Sequence, residues 1–257
     1  MIPAIEFRNL CFATAQGRLL LDNISLALHE GTTTAILGRS GSGKTTLLRT
    51  VNRVVEPSSG GVFVHGEVVG MVDPIPLRRR MGYVVQETGL FPHFTIERNV
   101  GLVLEAMGLP RSERIRRSND LLQSVSLDPA SYAHRFPHQL SGGQRQRVGL
   151  ARALAADPEI LLMDEPFGAL DPLTRAEMQD MLKEMLGKLK KTVLLVTHDL
   201  NEALYLADRI ALLEEGKLIA DLAPREFLAA GQPEIEAYVR AFHRGGKDAT
   251  RELGLVP

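Results

Sequence analysis

The chain has 257 residues, a formal net charge of −1 and a hydrophobic share of 44%, which suits one domain of ordinary to large size that buries its core without staples. That charge balance gives no general attraction to nucleic acid or acidic lipid, and a single cysteine, Cys11, excludes an internal disulfide and reads as a small core residue on a first strand. The start, MIPAIEFRNL, has neither the charged opening nor the apolar run of a signal peptide, and no apolar run approaches the ~18 residues that span a bilayer, so a soluble protein is expected, with any membrane role coming through a partner.

Up to about Gly31 the pattern alternates like strands, in AIEFRNLCF and LLLDNISLAL. TTTAILG is a short β-branched run that stops at Gly38, and a helix is expected from Lys44 to Val54 after the glycine-rich GRSGSGKTT. EPSSGG is a turn, VFVHGEVV a strand pair or edge strand, and RRRMGYVVQ holds a strand ending near Gln86, with Arg78 to Arg80 as its solvated approach or as a contact for a membrane partner. From about 91 to 156 the spacing turns helical, in ERNVGLVLEAMGL and RSERIRRSNDLLQSVSL, and ends in LSGGQRQRVGLARAL. Buried-strand runs then return as EILLMDEP and TVLLVTHD, separated by a helix from Pro172 to Lys190 whose Met178, Met181 and Met185 share a core face. A helix from Leu200 and RIALLEEGKLIA follow, and the tail from Pro224 starts helical and ends frayed in HRGGKDATRELGLVP. Strand alternating with helix predicts a parallel sheet covered on both faces. The expected fold is α/β: a phosphate-loop core (1–90 and 157–223), an N-terminal antiparallel β subdomain, an inserted helical subdomain (about 91–156) and a tail (224–257).

GRSGSGKTT matches the phosphate-loop pattern, and its context is right, with a buried strand before and a helix after. Backbone amides of Gly38, Arg39, Ser40, Gly41, Ser42 and Gly43 can wrap phosphates. Lys44 reaches the β- and γ-phosphates, Thr45 offers its hydroxyl to Mg²⁺, and Thr46 lies beside the α-phosphate. In EILLMDEP an apolar strand delivers two carboxylates at its C-terminal end, where α/β sheets bind ligands. Asp164 is placed to hold Mg²⁺ through water, and Glu165 to polarise an attacking water. Gln86 and His198 each follow a core strand, so one sheet edge would gather all of these groups. LSGGQRQR opens a second anion site at a helix start, a hundred residues from the first.

Taken together these motifs resemble an ATP-binding cassette (ABC) ATPase over nearly the whole chain. LSGGQRQR is similar to that family's signature, FGALD (Phe167 to Asp171) to its D-loop and His198 to its switch histidine. The resemblance implies a head-to-tail homodimer, or a pair with a similar ATPase. Each ATP then lies between the phosphate loop of one copy and Ser141, Gly142, Gly143 and Gln144 of the other. It implies Asp171 at the seam, Gln86 as a further Mg²⁺ ligand, and Glu165, His198, Gln86 and Lys44 as the catalytic set. It also leaves one gap: the position that matches the family's adenine-stacking aromatic is Thr14, and Phe12 on the same strand face is either its substitute or core. Arg145, Arg147 and Arg152 are expected to be exposed, paired with carboxylates, or to orient the signature loop.

A cassette of this size, without coiled coil, zinc module or basic stripe, resembles the ATPase of a bacterial importer, peripheral on the cytoplasmic side of the membrane. Its partners would be separate permease subunits and, indirectly, a substrate-binding protein, with no nucleic acid. Leu90, Phe91, Pro92 and Phe94 would rim a groove for a permease helix or belong to the helical core. Stretches such as NRVVEPSSGGVFVHGE are similar to osmoprotectant importers for quaternary amines such as glycine betaine; the tail after Ile219 is expected to be too short for the paired CBS regulatory modules of many of them. An amino-acid or lipid-related importer, a soluble non-transport ABC ATPase and a phosphate-loop kinase are the alternatives.

Overall fold

The structure, a computed structural model, describes residues 2–86 and 88–240. β1 (Ile5–Ala13) and β2 (Leu19–Leu28) form an antiparallel hairpin, and β3 (Thr33–Leu37), buried at every residue, runs into the glycine-rich loop and α1 (Lys44–Val51). β4 (Ser59–Val64) turns back on β5 (Glu67–Val68). α2 (Pro74–Arg79) precedes β6 (Met81–Val84). Helices then take over: α3 (Ile96–Val100), α4 (Leu102–Ala106), α5 (Arg111–Ser124), α6 (Pro129–Tyr132) and α7 (Gly142–Leu154). β7 (Ile160–Asp164), α8 (Pro172–Leu189), β8 (Thr192–Thr197) and α9 (Leu200–Leu206) restore the alternation. The hairpin of β9 (Arg209–Glu214) and β10 (Lys217–Leu222) and α10 (Pro224–Ala229) follow.

Two sheets result. The antiparallel one has the order β2-β1-β4-β5, and the larger one β10-β9-β3-β8-β7-β6, parallel except for β10. Side chains of both sheets and α1, among them Phe7, Ile24, Ile36, Leu48 and Val196, form one core cluster. A second lies under α5, α7 and α8, and a third under α9 and α10. Each fully buried Leu, Ile or Phe stabilises the fold by about 1.5–3 kcal/mol. Residues 160–164 and 192–197 are buried throughout, as strands covered on both faces must be. Register decides the rest: Leu37 pairs with Thr197, Asp164 with Val196 and Val84 with Met163, so the strands end together on one edge. No described helix is long and apolar enough to cross a membrane.

Several expectations are corrected. α1 stops at Val51, because Asn52 leaves the helical region and Arg53 turns left-handed at φ 54. β6 ends at Val84, two residues before Gln86, where its pairing with β7 runs out. Arg78 and Arg79 lie in α2, which Asp73 caps through the Ile75 amide at 2.9 Å, with a proline at the helix start. Arg78 binds the Asn52 and Arg53 carbonyls, Arg79 the Ala106 carbonyl, and Arg80 pairs with Glu67 and Glu159. The first helical run splits at Gly101, its weakest helix former. α8 ends at Leu189, where Lys190 takes φ 47. Cys11 is on β1 but half-buried, at a shift in the β1–β4 register, where its sulfur accepts the Asn23 amide at 3.2 Å. Met178 and Met185 are buried and Met181 packs against them as part of one cluster. The stretch HRGGKDATRELGLVP lies outside the described residues.

Candidate active site

Lys44 begins α1, and its ammonium folds back onto the carbonyls of Gly38 (2.8 Å) and Arg39 (2.9 Å). Burial pushes the ammonium below its ordinary pKa, and the charges of Glu165 and Asp164 offset part of that shift. Gly43, at φ 102, is the close approach that closes the loop: a Cβ there would stand 2.6 Å from the Leu20 carbonyl oxygen. The Ser42 hydroxyl is buried in the loop without a hydrogen-bond partner, an acceptor–donor group left over for a ligand. Arg39, Ser40 and Gly41 are exposed and Thr46 is half-buried.

Across the sheet edge, the Thr45 hydroxyl donates to the buried Asp164 carboxylate at 2.7 Å, and the Tyr83 hydroxyl reaches its other oxygen at 3.4 Å. Burial, foremost, raises the Tyr83 phenol, so it stays a donor. Glu165 leaves β7 at φ 46, anchored by its amide to the Val196 carbonyl at 2.9 Å. A non-glycine residue in this region is uncommon and strained. Here the twist turns the Glu165 carboxylate toward the Gln86 amide (3.4 Å) and His198 Nδ1 (3.2 Å). Gln86 therefore contacts Glu165 rather than the Thr45–Asp164 pair. One carboxylate is in the metal-type environment of hard oxygens, and its neighbour faces two exposed polar groups and the space above the loop.

Ser141 caps α7 reciprocally with Gln144: each backbone amide meets the other's side-chain oxygen, at 3.2 and 2.9 Å. The Gln144 amide also donates to the Tyr132 hydroxyl at 3.1 Å, and Arg145 donates to the Leu140 carbonyl at 2.7 Å. Ser141 and Gly142 are exposed, so the positive end of a 13-residue helix faces outward. Among the described residues, no hydrogen bond joins this start to the 38–46 loop. Asp171 caps α8 through the Thr174 amide at 3.1 Å, and the Thr174 hydroxyl and amide hold its carboxyl below the ordinary range. Arg147 pairs with Glu177 and Arg152 binds the Thr88 and Gly89 carbonyls.

Sequence reasoning missed several supporting residues. Arg175, one helical turn after Asp171, donates to the Leu170 carbonyl at 3.2 Å and pairs with Asp199 at 3.6 Å, beside His198. Glu202 is buried and accepts the Thr197 hydroxyl. A carboxylate on the apolar stripe of α9 was the available signal for it. Tyr83 gave no signal, since its partner is 81 residues away. Phe12 packs against the core between the sheets, and the Thr14 hydroxyl accepts the Arg18 amide in the hairpin turn.

A family model described as ABC transporter matches residues 21–168. The chain is 46% identical to the osmoprotectant import ATP-binding protein OsmV of Salmonella typhimurium over 229 residues, 88% of this chain and 60% of that protein. It is 47% identical to the glycine betaine/carnitine/choline transport ATP-binding protein OpuCA of Bacillus subtilis over 212 residues, 82% of this chain and 56% of that protein. It therefore spans little more than half the length of these relatives. Among solved structures, a dimeric ATP-binding cassette in a post-hydrolysis state bound to ADP and Pi matches with a TM-score of 0.77 at 34% identity, over 86% of this chain and 99% of that one.

Proposed function

The chain belongs to the ABC transporter family, and from that premise we propose that it is the ATP-hydrolysing subunit of an importer for a quaternary-amine osmoprotectant. The observation that carries the mechanism is the sheet edge itself. Glu165 stands between Gln86 and His198 beside the Thr45–Asp164 pair, while the Ser141 helix start is exposed and, among the described residues, shares no hydrogen bond with the 38–46 loop.

When ATP binds, Lys44 exchanges its two loop carbonyls for β- and γ-phosphate oxygens, and the 38–43 amides with the Ser42 hydroxyl wrap the phosphates. The hard-oxygen pair of Thr45 and Asp164 fits Mg²⁺, which neutralises phosphate charge during transfer. Glu165 takes a proton from the water whose oxygen attacks the γ-phosphorus as the bond to ADP breaks. His198 and Gln86 hold that carboxylate and that water in line. The exposed Ser141–Gly142 start of α7, with Gly143 and Gln144 behind it, closes on the γ-phosphate from a second copy. Asp171 and the exposed Leu173 of α8 then belong to the seam. ATP thus joins two copies, and loss of the γ-phosphate parts them.

Leu90, Phe91, Pro92 and Phe94 offer a rim for a permease helix, Phe91 being 42% exposed and Phe94 stacked under the Arg98 guanidinium. The substrate class accords with the names of the relatives, and work at the cytoplasmic face of a membrane, with a permease and a separate binding protein, belongs to the same importer reading. The test is Glu165→Gln in gel filtration. With saturating MgATP it should run as a dimer and turn over negligibly; a monomer under those conditions refutes the shared site.

A further inference from the structure

Arg152 lies near the C-terminal end of α7, the helix whose first residues are Ser141 to Gly143. Its guanidinium reaches across to the loop after β6, donating to the Thr88 carbonyl at 2.6 Å and the Gly89 carbonyl at 2.8 Å. Burial lowers its pKa, but a guanidinium stays charged at any working pH, so these are charge-assisted, two-pronged bonds of the stronger kind. A second contact sets the same junction. A Cβ at Gly82 of β6 would stand 2.4 Å from the Ala153 carbonyl oxygen, so the strand leading to Gln86 lies directly against the end of α7. A Cβ at Gly149, one turn earlier on the helix, would stand 3.8 Å from Thr88 Cγ2, so Thr88 also lies over this face of α7.

One rigid rod therefore has an anion cradle at its start and, about 16 Å away at 1.5 Å per residue, a grip on the loop that holds Gln86. We infer that Arg152 is a positioning residue that locks the Gln86 loop to the signature helix. Closure of Ser141–Gly143 on a nucleotide held by the other copy then moves Gln86 at this copy's own nucleotide in the same event. The inference rests on the shared-site reading above, in which the two ends of α7 serve two different nucleotides.

The test is a double-mutant cycle in the full chain. Arg152→Gln should leave MgATP affinity of the monomer unchanged, because the Lys44 loop is untouched, and lower kcat by about tenfold or more, as loss of alignment does. Added to Gln86→Ala it should cost little further, since both changes release one coupled unit. Arg152→Lys, which keeps one charged prong, should recover part of the rate. It also serves as the variant for the cycle where Arg152→Gln does not fold. Trapping of the Glu165→Gln dimer is measured alongside. If Glu165→Gln alone stays monomeric, the shared site fails. If it dimerises, yet Arg152 variants turn over at the full rate or their losses multiply with that of Gln86→Ala, the locking role is overturned while the shared site stands.

Discussion

Gly143→Ala places a methyl group where Thr174 already stands. A Cβ at residue 143 would lie 2.4 Å from Thr174 Cγ2, against an ordinary carbon–carbon approach of about 3.5–4.0 Å, so the starts of α7 and α8 must part by more than ~1 Å. Two effects on stability oppose each other. Alanine in place of glycine in a helix gains about 1 kcal/mol, and overpacking costs about 1–3 kcal/mol, so the melting temperature should shift only modestly. Activity is far more sensitive, because a group misplaced by about 1 Å loses on the order of a hundredfold in rate. We expect steady-state ATP hydrolysis to fall between roughly tenfold and a hundredfold, with nucleotide affinity of the monomer intact in a fluorescent-nucleotide titration. Thr174→Ser removes Cγ2 while keeping the hydroxyl beside Asp171, and in the double variant it should restore most of the rate. Full activity in Gly143→Ala, or a double variant as slow as the single one, would refute the steric argument.

Lys44→Ala removes the cation that bridges the loop and should weaken ATP binding by about 10- to 100-fold, as loss of charged hydrogen bonds of about 1.5–3 kcal/mol implies; calorimetric affinity within a factor of two of wild type counts against its role. Chelating divalent cations should abolish hydrolysis, and Asp164→Asn should raise the Mg²⁺ concentration for half-maximal rate by roughly tenfold, without comparable change in metal-free ATP binding. Glu202 gives a pH test. Burial, foremost, with the Asp199 charge, raises its carboxyl above the ordinary range, while the Thr197 hydroxyl works the other way. With the native value raised, the folded state holds more protons than the unfolded chain between the ordinary carboxylate range and that raised value. Stability is therefore full below this window and declines as pH rises through it. Glu202→Gln should remove the decline, so melting curves of the two proteins should converge in acid and separate above the window; parallel curves at every pH would contradict the assignment.

What could be read in the chain alone was local chemistry. GRSGSGKTT, LLMDEP and SGGQ each carry their geometry in a few consecutive residues. A glycine run before a helix, an apolar strand ending in two acids, and a capped helix start owe their form to backbone sterics and hydrogen bonding near at hand. The α/β alternation followed from hydrophobic period in the same way. Boundaries failed where a neighbour decided them, as at Val84, where β6 loses its partner strand, and at Val51, where Arg53 turns left-handed.

Packing decided which distant groups meet. Register between parallel strands set Asp164 against Val196 and so brought Thr45, Glu165 and His198 to one edge. No local rule gives the strand order β3-β8-β7-β6 that does this. Arg152 is the clearest instance: its composition and helical position suited solvent or a carboxylate, and only the approach of β6 to α7 turned it onto two carbonyls 63 and 64 residues away. A side chain's type and spacing state what it is able to bind. Which partner it finds depends on the close packing of surfaces remote in sequence, an interaction that sums over the whole fold and leaves no signature in a short stretch of residues.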